Sequence, residues 1–264
     1  MRGKGDLWNQ LRQPESKLNT MDLRGLYKFS LVDYPGKISC IVFTGGCNLR
    51  CAFCHNPVLV FDPTSQPKVT QQEFFHYLER RKGLLEGVVI TGGEPMLHPD
   101  LGEFIEKIHQ AGYLVKLDTN GSFPDRLAAI LESPGVDALG MDYKTSAENY
   151  CSVVGIPDSE LAGRVRQSIT LAMKYRQEKG TEVDVRTTVH KSLHPMETLV
   201  QMKSELMSMN VVQWTLQQFN PVETIDSDLP SQPTYADHEL VACAKELTQD
   251  GFNVRVRGLA GRIL

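Results

Sequence analysis

No stretch of this chain stays apolar for the roughly 20 residues that a bilayer-crossing helix needs, so no membrane partner is expected. Basic charge is not in excess either. The 28 Lys and Arg against 32 Asp and Glu leave a formal net charge of −4, which gives no reason to expect nucleic-acid binding. Cysteine is too sparse for a disulfide framework, at six in 264 residues. Cys40, Cys151 and Cys243 are scattered singly and read as buried or half-buried thiols, with no second cysteine group to hold an additional cluster. Internal repeats and low-complexity tracts are absent. The start, Met1–Asp6, is polar with no apolar signal core behind it, so the reading is cytoplasmic.

What is present is the composition of an ordinary soluble protein, 41% hydrophobic and 23% charged. The length suits one large α/β domain or two small ones. Residues 1–20 are polar and lack periodicity, and read as an N-terminal arm ahead of a domain over 21–264. From residue 21, β and α signals alternate. Strands are expected at Lys37–Phe43, Gly87–Ile90, Tyr113–Asp118, Val136–Asp142, Glu182–Val189, Val211–Gln218 and Asn253–Val256. Thr70-Gln71-Gln72-Glu73 is a capping-box pattern opening a helix. Apolar stripes at helical spacing follow around Leu101–Ile108, Leu127–Leu131, Ile169–Met173, Leu199–Leu206 and Leu240–Leu247. Asp62–Pro67 and Asn220–Pro233 read as loops. Six strand–helix units predict a parallel sheet with right-handed crossovers. They are too few to close an eight-stranded barrel, so the expected fold is α/β, a partial (β/α)6 TIM-like barrel. Its ligands would sit at the C-terminal strand ends.

Three cysteines, Cys47, Cys51 and Cys54, fall within eight residues directly after the first apolar strand. On so short a loop, three thiolates can hold three irons of one 4Fe–4S cube and leave the fourth open to a small molecule. Zinc held by the same cysteines and His55 is the rival reading, at the cost of His55 turning back onto the ion beside Cys54.

Other signals stand at strand ends. In Thr91-Gly92-Gly93-Glu94-Pro95, paired glycines admit a close approach of backbone and ligand, and Glu94 could accept from an ammonium group. A tight βα turn is the plainer reading. Asp118-Thr119-Asn120-Gly121 and Asp142-Tyr143-Lys144 end the next two strands, putting Asp118 and Asp142 on neighbouring tips. Two carboxylates there need a bound cation, Lys144, or a raised pKa. Arg186 interrupts an apolar strand and faces either solvent or an anionic group such as a carboxylate. His76, His98, His109, His190, His194 and His238 show no ligand spacing.

With these motifs in this order, the chain resembles the radical S-adenosylmethionine (SAM) enzymes, and among them the glycyl-radical-enzyme activating enzymes. The carriers are the cysteine loop with Phe53 before its last cysteine, His55-Asn56-Pro57, Thr91–Glu94, Asp118–Gly121 and Asp142–Lys144, and the similarity covers about residues 21–264. Phe29–Gly36 looks like the longer activators of anaerobic ribonucleoside-triphosphate reductase, and the chain is also similar to the activator of pyruvate formate-lyase. The resemblance implies a 4Fe–4S cluster on Cys47, Cys51 and Cys54 whose open iron binds SAM. An electron from a flavodoxin- or ferredoxin-like donor would cleave SAM, and the resulting radical would take a Cα hydrogen from a glycine of a glycyl radical enzyme. It further implies that Phe53 packs near the adenine and that Asn56 is a cofactor contact. Gly92, Gly93 and Glu94 would hold the methionine amino group. Lys144 and Arg186 become cofactor contacts, as do Asp118 and Asp142. Asp118, Thr119 and Asp142 would hold a monovalent cation, and Asp33 would lie near the glycine peptide.

The chain departs from that pattern at Asn220, where the pyruvate formate-lyase activator has a histidine on the adenine side. It departs again at Gly140, where that relative has a methionine. Sixteen residues between Cys54 and the helix that Thr70 opens leave no room for a cysteine-rich insert. Two other functions stay open on the residues alone. One is a radical SAM enzyme acting on a small molecule such as a deazaguanine precursor, and the other is a non-catalytic iron–sulfur or zinc protein.

Overall fold

A computed structural model describes residues 21–259, so the arm expected at 1–20 lies outside the described residues. Its strands are β1 (Leu23–Ser30), β2 (Ser39–Thr44), β3 (Gly87–Gly92), β4 (Leu114–Thr119), β5 (Ala138–Asp142), β6 (Glu182–Val189), β7 (Gln213–Gln218) and β8 (Asn253–Arg257). Its helices are α1 (Pro57–Phe61), α2 (Gln71–Arg80), α3 (Leu101–Gln110), α4 (Pro124–Glu132), α5 (Tyr150–Val154), α6 (Leu161–Lys179), α7 (Met196–Ser208) and α8 (Asp237–Leu247). Strand order follows chain order. Seven strands match the expected ones with ends shifted by two residues or fewer. The expected loops at 62–67 and 220–233 each contain one short 3₁₀ turn, Pro63–Ser65 and Leu229–Ser231.

β1 is new, and it is the strand that runs antiparallel. The described residues form two compact units, the first holding 21–48, 58–118 and 128–138. There β1 pairs with β2 from Leu23↔Thr44 to Ser30↔Ser39, with two shifts of register. β2 is parallel to β3, and β3 to β4. Cys40, Ile41 and Val42 are all buried, the pattern of a parallel strand covered on both faces. Thr70 and Glu73 cap α2 reciprocally, and its Phe74 and Phe75 meet Phe104 of α3 with ring centroids 5.3 and 5.8 Å apart. The apolar stripes of these two helices are thus buried against each other.

The second unit holds 49–57, 119–127 and the chain from 139 onward. β6, β7 and β8 are parallel neighbours in register Arg186↔Thr215↔Arg255. Trp214 is fully buried and donates from Nε1 to Thr187 Oγ1 at 2.9 Å, satisfying the one polar group on its ring. The α6 stripe of Val165, Ile169 and Ala172 is buried. Among the described residues no helix is long and apolar enough to cross a membrane.

Candidate functional site

In the first unit the tips of β2 and β3 are locked together by their glycines. Gly92 has φ +118°, and a Cβ on it would lie 2.3 Å from Thr44 N. On Gly93 a Cβ would lie 1.8 Å from Gly46 O. Neither contact is possible, so these positions are glycine because the start of the cysteine loop crosses them. Backbone bonds seal the crossing: Gly93 N to Thr44 O at 2.9 Å and Glu94 N to Gly46 O at 2.8 Å. The buried Glu94 carboxylate accepts from Met96 N at 2.9 Å and caps the turn Pro95–Leu97. His98, set aside in the sequence, bonds Gly45 O through Nε2 at 3.1 Å. At the end of β4, Asp118 pairs with Lys116, both buried. In the turn after β1, Ser30 Oγ donates to Asp33 Oδ2 at 2.5 Å.

The second unit carries the rest of the cysteine loop. Arg50 N donates to Val154 O at 2.8 Å and Ala52 N to Val153 O at 3.1 Å. Gly155 has φ +65°, and a Cβ there would meet Arg50 O at 2.7 Å. Loop and α5 therefore touch backbone to backbone. Phe53 is buried, with Lys144 Nζ 5.7 Å from its ring centroid and the His194 ring edge-on at 6.1 Å. Asp142 is clamped between two cations, Lys144 Nζ at 2.7 Å and Arg186 Nε at 2.7 Å. Burial works against its ionisation, but the two cations overcome this and hold its carboxyl well below the usual range. Lys144 is desolvated as well, yet Asp142 and the thiol of Cys51 hold its pKa up.

His194 is buried and its pKa falls to about 4, chiefly because burial disfavours the charged ring. It lies 2.8 Å from Lys144 O through Nε2 and accepts from His190 N through Nδ1 at 3.1 Å, which fixes the backbone behind the lysine. His55 Nε2 is engaged by Asn220 O at 2.9 Å and its ring lies 5.2 Å from Phe219. The histidine that the zinc reading needs is thus held by the residue noted above as a departure. Asn56 is exposed. Thr119 Oγ1 accepts from Gly121 N at 3.2 Å, and Asn120 Oδ1 from Ser122 N at 3.0 Å, so this segment forms side-chain-stabilised turns.

The two acids of the β4 and β5 tips thus each have a lysine of their own strand end, with Arg186 added at Asp142. Of the expected ways to compensate them, Lys144 is seen at Asp142, and the pKa of Asp142 is lowered rather than raised. Among the described residues no group of three or more His, Cys, Asp and Glu is gathered to hold a metal ion. The donor chemistry of the loop does fit a cluster. Cys47, Cys51 and Cys54 are free thiols, one buried and two half-buried, on backbone pinned by Gly93 at one end and Gly155 further along. Cys40 is different: burial pushes its thiol up to about 12, as for an inert core residue.

Residues 41–190 match the family model of the radical SAM superfamily. The chain belongs to that superfamily. Its α/β fold, a mostly parallel set of eight strands with helices, is the radical SAM fold. The family implies a 4Fe–4S cluster and SAM. Of the relatives, a Methanocaldococcus jannaschii protein with the provisional name of a glycyl-radical enzyme activating enzyme is 27% identical over 240 residues, 90% of this chain and 96% of that one. A 7-carboxy-7-deazaguanine synthase of Hyperthermus butylicus is 36% identical over 119 residues, 43% of this chain and 48% of that one. Among solved structures, Streptococcus suis SuiB bound to its precursor peptide SuiA superposes with TM-score 0.64 at 13% identity, over 83% of this chain and 48% of that one.

Sequence reading missed Lys116 and His194. Lys116 had a signal: it stands two residues before Asp118 and so on the same face of β4. His194 had none, because its role is to hold a backbone carbonyl fifty residues away.

Proposed function

We propose that this radical SAM protein activates a glycyl radical enzyme. The observation that carries the reading is the relationship to the M. jannaschii protein, which runs through 90% of the chain. The match to the deazaguanine synthase stops at 43%.

In this reading Cys47, Cys51 and Cys54 hold the 4Fe–4S cluster, which supplies one electron when reduced. With SAM bound beside it, the cluster would supply the one-electron cleavage that yields methionine and an oxidant able to take a hydrogen atom from a glycine Cα, leaving 5′-deoxyadenosine and a glycyl radical. The chain's own residues bind and orient. Lys144 and Arg186 stand side by side on Asp142, and two adjacent cations suit the carboxylate of SAM. Phe53, flat and buried beside Lys144, offers the adenine an apolar face. Glu94, a buried carboxylate at the end of β3, would take the amino group. Asp33, half-buried in the turn after β1, would meet the glycine segment. The likeness of residues 29–36 to the longer activators favours anaerobic ribonucleotide reductase as the target, and the family resemblance implies a flavodoxin- or ferredoxin-like donor.

The test is anaerobic reconstitution with iron and sulfide, reduction, and incubation with SAM and the candidate partner. A glycyl doublet in the partner's electron paramagnetic resonance spectrum is the expected result. Formation of 5′-deoxyadenosine with a deazaguanine precursor, and no doublet, would favour the small-molecule reading. No 5′-deoxyadenosine under any condition would remove both.

A further inference from the structure

Strands β6, β7 and β8 alternate strictly between two faces. Val185, Thr187 and Val189 of β6, Trp214 and Leu216 of β7, and Val254 and Val256 of β8 are buried. The opposite face is polar throughout. Register places Arg186, Thr215 and Arg255 in one row across the three strands, and Thr188, Gln217 and Arg257 in the next. A sheet face that served only as core would be apolar. Only Arg186 of these six is used by the proposed SAM site.

The charges on this face do not balance. Asp142 meets Lys144 and Arg186, and Asp184 meets Arg255 at 2.9 Å and Arg257 at 2.8 Å. At Asp184 two arginines thus converge on one carboxylate, and the other carboxylate of this face, Glu182, is exposed at the start of β6. Asp184 is fully engaged, since Thr215 Oγ1 also donates to it at 2.6 Å. The arginines are not. Arg257 gives one bond, to Asp184 Oδ2, and Arg255 gives two, to Thr215 Oγ1 and Asp184 Oδ1. Each guanidinium therefore has N–H donors in a planar fork with no partner among the described residues. The Arg257 side chain is only 13% exposed, yet none of its nitrogens is buried without a partner, so its unused donors are open to a ligand. One arginine would suffice to neutralise Asp184.

We propose that Arg255 and Arg257, held in place by Asp184 and Thr215, bind a carboxylate of the protein substrate. The carboxylate is an Asp or Glu side chain on the segment that carries the reacting glycine. The inference rests on the glycyl-radical reading and adds a specificity determinant to it.

The test uses the full-length, cluster-reconstituted, SAM-loaded enzyme to capture peptides from a library randomised around a fixed central glycine. With the wild type, Asp and Glu are expected to be enriched about tenfold at one flanking position, the scale of a desolvated charge pair. R257Q is expected to lose that enrichment while binding SAM as the wild type does, because Arg255 and Thr215 still satisfy Asp184. If R257Q fails to bind SAM, R257K serves instead. It keeps the charge but not the planar fork, and should retain at most about a third of the enrichment. No acidic enrichment with the wild type, or undiminished enrichment in the variant, overturns the subsite and leaves the glycine reading standing. Equal capture from a library with alanine in place of the glycine, or no capture at all, overturns both.

Discussion

Arg186 Nε lies 2.7 Å from Asp142 Oδ1, while Lys144 Nζ sits at 2.7 Å from the other oxygen of the same carboxylate. The carboxylate is a scaffold that keeps two cations side by side. Replacing Asp142 by Asn would leave those cations facing each other without a counter-charge. The variant should unfold with about 3 kcal/mol less stability by urea titration, the scale of a broken buried ion pair. R186M leaves Asp142 paired with Lys144, so its stability should fall less. Its dissociation constant for SAM, measured by calorimetry on reconstituted protein, should rise about tenfold or more.

Gly93→Ala should be incompatible with the cysteine loop. Its Cβ would fall 1.8 Å from Gly46 O, so the backbone next to Cys47 must move. Iron and sulfide bound per chain after reconstitution should drop to a small fraction of wild type. Gly163→Ala is the control: it stands on the exposed side of α6 with no atom within 4 Å of a Cβ. It should gain about 0.5 kcal/mol from helix propensity and load the cluster normally.

Acid should destabilise the protein in two separable windows. His194 is held neutral, with a folded value of about 4 against the ordinary 6.5, so the unfolded chain takes up the proton first. Its contribution is complete above pH 6.5 and declines as pH falls toward 4, by about 3 kcal/mol in all. His194→Gln removes the protonation and should flatten that limb of a urea-stability profile. Asp184 is depressed to about 2 from 3.8, its arginines outweighing burial. Its stabilisation is complete above 3.8 and is lost as pH falls through 2, by about 2 kcal/mol. His194→Gln should leave this lower limb unchanged.

The parallel strands and the long helices were legible because period and caps agree there. Thr70 and Glu73 announce α2, and the apolar run before Cys47 announces β2. β1 was not legible: Gly25 and the exposed Tyr27, Lys28 and Phe29 give Leu23–Ser30 no apolar alternation, and only pairing with β2 makes it a strand. At the site, the glycine pair was seen as room for a ligand. Its first cause is the crossing of the Gly46 carbonyl. Asp118 and Asp142 were expected to share a compensating charge, but each has its own, because Lys116 hides in the run Leu114–Thr119. Arg255 and Arg257 were passed over, the first inside the late strand expected at Asn253–Val256 and the second just beyond it. The alternation of Val254 and Val256 with two arginines was the sign of a second, polar face.

The most direct test of the central claim is a deuterium-transfer measurement. The reduced, reconstituted enzyme is given SAM and a partner protein labelled with deuterium at every glycine Cα, and the 5′-deoxyadenosine is analysed by mass spectrometry. The account predicts one deuterium in the product, and none when only other residues of the partner carry the label. 5′-Deoxyadenosine formed in the partner's presence without deuterium would contradict it.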